Sequence, residues 1–429
     1  TNYGKLTIND SSEAQTGTIK REDENTGGYY VIDNKGTMTI NGGNVINNSS
    51  TKGSSLIRNG GAEDDNAYPT LNITGGTFTQ LNFIAIKNDA LSRLNVSGGK
   101  ITSNASAIQN WYEATITGGE INGQLWTDAF AWNGGESTGN TTISENAKFT
   151  GEIVMDITGE NVVPKLNISG GDLNITNWRI TPAASAVGAK PAVSGGTFST
   201  AVPEAYCADG YIPTMNADGT FGVKVDTSVA EVNGVKYETL QEAIAAAKDG
   251  DTVKLIADVE QNVPLTINKN ITLDLNGKKI YNTVDLWDVS NAVISIEATV
   301  IITGNGSIEA KENDCYTINV KNGNLTIENG TFVGNVSVVQ VENGTLTISG
   351  GEFKLLQKWE GSSKYLINCI DENYENKSAV VDIRGGKFVD FDPNVAPEKK
   401  VDGKAPSFVI SAGIGVTKDA AGNFTAMPN

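Results

Sequence analysis

LTISGGEF, at residues 346–353, decides the fold, because variants of it return along the whole chain. In this phrase Leu346 and Ile348 alternate with Thr347 and Ser349, the period-2 pattern of a half-buried strand. Gly350 and Gly351 then predict a corner, since glycine takes positive φ without steric cost. Phe353 points inward again after the corner. Related phrases are MTINGGNV at 38–45, LNITGGTF at 71–78, LNVSGGKI at 94–101, ATITGGEI at 114–121, LNISGGDL at 166–173 and AVSGGTF at 192–198. They resume as LDLNGKKI at 273–280, IITGNGSI at 301–308, LTIENGTF at 325–332 and VDIRGGKF at 381–388, with a worn copy, TTISENAKF, at 141–149.

Copies beginning at 71, 94 and 114 are 23 and 20 residues apart, and those at 325 and 346 are 21 apart. Longer steps of 33 and 35 residues separate 38 from 71 and 346 from 381. A period of about 20 with insertions marks a solenoid whose loops lie outside. A second apolar stretch follows in most copies, as in Val336, Val338 and Val341, or Ala105, Ala107 and Ile108. Short strands with sharp corners, stacked copy on copy, predict an all-β parallel β-helix. Recurring Gly pairs and β-branched residues argue against a helical repeat. The short steps argue against propeller blades of about 40–50 residues.

Composition narrows the function. The chain has 429 residues, 32 Lys+Arg against 50 Asp+Glu, and a net charge of −18, which disfavours nucleic acid. It has no His, so a Ser-His-Asp triad, a Cys-His pair and His-containing zinc sites are excluded. Mean hydropathy is −0.23, and no apolar run approaches the roughly 18 residues of a membrane-spanning helix. No membrane insertion and no cofactor are expected.

Both halves end alike, in a Gly-Gly-x-Phe rung, a Pro-containing segment and a hairpin. This predicts two tandem modules, 1–227 and 228–429, closed by hairpins at about 206–225 and 407–427. The hairpins are turned at Asp218-Gly219 and near Ala421-Gly422, and each covers unpaired strand edges. Val232 to Tyr237 predicts a strand pair. Thr239 and Glu242 form a capping-box pattern opening a helix over about 239–248, stopped by Asp249-Gly250. Its Leu240, Ala243, Ile244 and Ala247 share one face, suited to plugging the start of the second module. The first module opens at Leu6-Thr7-Ile8, already inside a rung. The expectation there is a stack whose cap lies upstream, or a terminus shielded by a partner.

VNGVKYETLQEAIAAAKDGDTVKLIADV at 232–259, the Gly-Gly-x-Phe rungs and YCADGYIPTMNADGTFGV at 206–223 resemble a family of large surface proteins of gut Gram-positive bacteria. The resemblance implies right-handed, pectin-lyase-like β-helices and a role as adhesin or surface-layer component, extracellular, on the cell surface or secreted. Related β-helices are found in phage tail fibres and in polysaccharide lyases and hydrolases. The Gly-His-Gly of polygalacturonase-like enzymes is impossible here. The five arginines (Arg21, Arg58, Arg93, Arg179 and Arg384) supply no Arg-x-Lys. The expectation is therefore a non-catalytic protein, with a glycan-active enzyme or phage-fibre component as the alternative.

Acidic groups are read as solvated surface. Glu63-Asp64-Asp65 is the weak metal candidate, without an EF-hand loop or a calcium-binding nonapeptide around it. Asp285 and Asp288 flank Trp287, a carboxylate pair of the kind that serves glycoside hydrolysis, but in a chain rich in acids. Cys369 aligns with the apolar position Val320 and predicts a buried thiol; Cys315 is near but out of register and Cys207 belongs to the other module, so no disulfide is expected.

Tryptophan is the more informative residue. Trp111, Tyr112, Trp126 and Trp132 are the candidate ligand-binding residues, close enough across successive coils to share one lateral face. The competing reading is that they cover the solenoid's apolar flank. Trp287 and Trp359 are isolated and read as structural. The partners expected are a glycan or a host or cell-envelope protein, with self-association also open.

Overall fold

The computed structural model describes residues 1–21, 30–48, 54–61, 68–132, 135–158, 162–357, 365–395 and 407–429, without the side chains of 130–136. Glu63, Asp64, Asp65 and Trp359 lie outside the described residues, as does the Trp132 side chain. The chain divides into two compact units, Thr1–Asp226 and Thr227–Asn429, each with its own hydrophobic core.

Both units are parallel β-solenoids, with each coil pairing in parallel with the next. In the first unit one face runs from Lys5–Ile8 through Thr37–Ile40 and Thr70–Ile73 to 93–96, 113–116, Asn140–Ile143, 165–168 and 191–193. A second face begins at Thr18–Arg21 and Asn44–Asn47. A third begins at Ile32–Asn34, Ile57–Asn59 and Ile86–Asn88. In the middle coils one continuous strand follows all three faces, as in Arg93–Asn110 (18 residues) and Glu113–Trp132 (20 residues). In the second unit the three faces form separate sheets of short strands.

The repeated phrases stack position on position. Met38, Leu71 and Leu94 are register partners on the first face, and Val45, Phe78 and Ile101 on the second. In the second unit Leu325, Leu346 and Val381 align, as do Phe332, Phe353 and Phe388. These side chains are buried, and the three phenylalanine rings stack at 5.0 and 5.1 Å between centroids. One copy is offset. Leu273 faces Ile302 while Ile280 faces Ile308, so the 273–280 copy holds one extra residue in its corner, where Asn276 takes φ +46°.

The two glycines of each corner have different reasons to be glycine. Only the second is left-handed, at φ +81° in Gly99 and +96° in Gly351. The first is excluded from carrying a side chain by its neighbour coil. A Cβ on Gly98 would lie 2.2 Å from the Thr74 carbonyl oxygen, and one on Gly350 2.2 Å from that of Glu328. The expectation that positive φ explains both is corrected: close backbone approach selects the first.

The closing end of each unit and the start of the second are covered. Phe221–Val225 pairs antiparallel with Tyr211–Met215 and meets the last rung at Phe198. Phe424–Pro428 does the same for the second unit, lying between Gly386–Phe388 and Ile414–Lys418. At the start of the second unit Ala230–Val232 pairs antiparallel with both Val235–Tyr237 and Thr252–Leu255. The helix Leu240–Ala246 follows. Thr239 Oγ1 accepts from Glu242 N–H, and the Glu242 carboxylate accepts from Thr239 N–H, both at 3.2 Å. Leu240, Ala243 and Ile244 are buried, as the pattern requires. The helix stops earlier than Asp249-Gly250. Ala247 is already extended and buried, and the Lys269 ammonium donates to the carbonyls of Ala245 and Ala247 at the helix end. Gly250 serves the following tight turn, where Asp251 N–H donates to Lys248 O at 3.0 Å. In the second apolar stretch Val338 and Val341 are buried but Val336 is exposed, because the strand there begins only at Val339.

Candidate functional site

The third face of the first unit carries the predicted aromatic residues and a feature absent from the expectations. Its second inward position is Asn34, Asn59, Asn88 and Asn110 on successive coils, all fully buried. Each amide donates to the next: Asn34 Nδ2 to Asn59 Oδ1 at 2.7 Å, Asn59 to Asn88 at 2.7 Å and Asn88 to Asn110 at 2.8 Å. Asn2 extends the ladder at one end, and Asn110 donates to Thr141 Oγ1 (2.9 Å) at the other. The second amide hydrogen of each Asn serves corner carbonyls, such as Ser92 O and Glu113 O for Asn88. A buried amide without these partners would cost about 1–3 kcal/mol per lost group, so the ladder holds the coils in register. The legible signal was Ile-x-Asn: IDN at 32–34, IRN at 57–59, IKN at 86–88 and IQN at 108–110.

Side chains just outside this ladder form the candidate flank. Trp111 ends one coil's third face, and its indole Nε1 donates to Asp128 Oδ2 on the next coil at 3.1 Å. Lys87 Nζ lies 4.7 Å from the Trp111 ring centroid and 3.1 Å from Asp89 Oδ1, while Arg58 Nε donates to Asp89 Oδ2 at 2.6 Å. Tyr112 turns the other way round the corner. It stacks on Tyr68 at 6.1 Å, and Arg93 sits 4.7 Å over the Tyr68 ring and bonds Glu113. Trp126 lies one coil from Gln109, with Arg179 two coils further on, 4.8 Å over its ring. Between them Val154, on an outward position, is fully buried. Trp126 Nε1 donates to Gln124 Oε1 (3.1 Å), and Glu152 accepts from Gln124, Asn177 and Arg179.

Trp111 and Trp126 lie on neighbouring coils on the outward side of the third face, whereas Tyr112 lies round the corner against Tyr68. All three are half-buried, and the two indoles are braced, each with its N–H satisfied and a cation against its ring. Trp178, also partly buried, packs against the first unit's core and against Tyr206 of the closing segment at 5.3 Å.

Electrostatics distinguish one carboxylate. Asp128 is buried, and burial followed by the facing Asp156 carboxylate on the next coil pushes its pKa up to about 6. Thr158 Oγ1 and the Trp111 indole occupy its oxygens. Asp156 accepts from Thr181 Oγ1 at 2.7 Å. Burial also works to raise Glu152, but its bonds from Arg179 and Asn177 outweigh this and hold it below the usual range. Among the described residues, no cluster of three or more His, Cys, Asp or Glu is placed to hold a metal ion. Among them, too, no helix is long and apolar enough to cross a membrane.

In the second unit Asp285 is exposed and bonded to Lys311 Nζ at 2.7 Å, and Asp288 is exposed. Cys369 is buried opposite Val341, which in turn faces Val320, as the alignment predicted. All three cysteines are buried and free, and burial pushes the Cys315 and Cys369 thiols up to about 12. No protein-family model, no curated protein and no solved structure matches the chain.

Proposed function

We propose that this is a non-catalytic extracellular protein that works by display, an adhesin or surface-structure component of a bacterial envelope. The supporting observation is the braced aromatic and cationic row of the first unit, built from Lys87, Trp111, Trp126 and Arg179 beside the asparagine ladder, with Tyr112 stacked on Tyr68 round the corner. Rigid aromatic rings beside planar amide, guanidinium and carboxylate groups suit recognition of a glycan or of an envelope or host protein at low ordering cost. The pectin-lyase-like surface-protein resemblance points the same way. Self-association into a larger surface assembly fits the same role.

The glycan-active enzyme has one observation in its favour, the Asp128 and Asp156 carboxylates facing each other on adjacent coils with Asp128 held near pKa 6. Against it, the Asp128 oxygens are buried and already take bonds from Trp111 and Thr158. A glycan array probed with the whole chain and with Trp126→Ala tests the display reading. Loss of bound spots in the variant is expected. Unchanged binding removes the aromatic flank from the proposal, and release of reducing ends from a polysaccharide panel replaces display with catalysis.

A further inference from the structure

Trp287, set apart by the sequence as structural, is half exposed, more so than Trp111, Trp126 or Trp178. Its position is nonetheless built. The preceding Leu286 is buried. The buried Asp314 carboxylate accepts from Leu286 N–H at 2.9 Å, from Trp287 N–H at 3.0 Å and from Asn282 Nδ2 at 2.7 Å. A turn closes behind the ring, with Val289 N–H donating to Leu286 O at 3.0 Å. The indole meets Tyr316 edge-on at 5.5 Å and 84°, and no acceptor among the described residues takes its N–H. Asp314 and Leu286 thus fix the backbone so that the ring stays outside.

The surroundings specify a ligand. Val284 and Val289 of the same segment are exposed at 46% and 72%, and Val263 at 64%. Val263 lies one coil from Val284, through the bonds joining Asn262 and Thr283. Around these apolar groups stand Glu260, which accepts from Asn262 and Thr283, Asp285 with its partner Lys311, and Asp288. An aromatic face suits the polarised C–H face of a pyranose. Carboxylate and amide oxygens suit its hydroxyls, and exposed valines suit a methyl group. The acidic rim opposes a uronate or sulfated sugar.

We infer that Trp287, Val284, Val289 and the Asp285/Asp288 rim form a subsite for a neutral N-acetylated pyranose, with the sugar ring on the indole and the acetyl methyl on the valines. The subsite is separate from the first unit's flank and shares with the proposed function only glycan recognition as a class.

Calorimetric titration of the whole chain tests it, using triacetylchitotriose, cellotriose and trigalacturonate as probes. Saturable binding of triacetylchitotriose is expected. It should weaken about tenfold in Trp287→Ala, as loss of an aromatic contact predicts, survive in Trp287→Tyr and be unchanged in Met215→Ala, an exposed residue of the first unit's closing hairpin. Circular dichroism of the variants confirms that they fold. The inference is overturned if the wild type binds no triacetylchitotriose or if Trp287→Ala binds it undiminished. Equal binding of cellotriose overturns the acetyl assignment, and tighter binding of trigalacturonate overturns the neutral one. Loss in Trp126→Ala alone overturns this subsite while supporting the first unit's flank.

Discussion

The two units solve the same stacking problem with different interiors. At the second inward position of the third face the first unit places Asn34, Asn59, Asn88 and Asn110, whereas the second places Ile267, Ile296, Val320, Val341 and Cys369. On the second face the first unit separates Phe78, Phe149 and Phe198 by one or two aliphatic residues, and the second stacks Phe332, Phe353 and Phe388 on consecutive coils. A buried amide ladder is directional and has one satisfied register. An aliphatic line gains from burial in a less directional way. The unit with the ladder also carries the braced flank, where Trp111 follows Asn110 directly and inherits its register.

The comparison breaks first at its cores. Phe353→Ala should destabilise the second unit by roughly 3–5 kcal/mol, through a cavity inside the ring stack. Hydrogen exchange read by mass spectrometry should show lost protection across 323–355 and 379–388 with 70–116 unchanged. Asn88→Ala should do the converse at about 1–3 kcal/mol, because it removes the acceptor of a buried Asn59 amide hydrogen, while Asn110 Oδ1 keeps the Tyr112 N–H and Ser92 O keeps the Glu113 N–H. Equal loss of protection in both units would show that the two interiors are not independent.

The next effect is pH dependence confined to the first unit. The folded-state pKa of Asp128 is raised above its ordinary value of 3.8 to about 6. The native state therefore binds the proton more tightly than the unfolded chain, and stability falls as pH rises between those values. Lowering pH from 7 to 5 should stabilise the first unit through this group, on the order of 1–2 kcal/mol, and Asp128→Asn should flatten the dependence. Below that window, Asp10, Glu120, Glu152 and Asp218, whose pKa values are lowered by their hydrogen bonds, act in the opposite direction. Protection of 113–132 measured at pH 5 and pH 7 in both proteins decides it. The smallest expected change is Thr239→Ala, about 1 kcal/mol from the lost cap, seen as faster exchange in 239–247.

The stacked coils, the closing hairpins, the capping box and the buried Cys369 were legible because each depends on local chemistry: alternation, a turn dipeptide, a three-residue spacing, an aligned apolar position. The asparagine ladder was legible in principle through Ile-x-Asn, yet one Asn in a strand says nothing about which way its amide points. The candidate site divides the same way. Sequence spacing brought Trp111 and Trp126 to one face but left them looking free, whereas Asp128 and Arg179 from other coils, and Gln124 of Trp126's own strand, brace them.

The amino-acid sequence by itself determined a solenoid of glycine-cornered coils, since period-2 burial and the corner glycines act within a single repeat. Only the tertiary structure decided which polar groups are paired. Partners such as Trp126 and Arg179, or Trp287 and Asp314, lie tens of residues apart along the chain and meet only when coils stack about 4.8 Å apart. It was that stacking, too, that buried Val154 under Trp126 and Arg179 and left Trp287 standing in solvent.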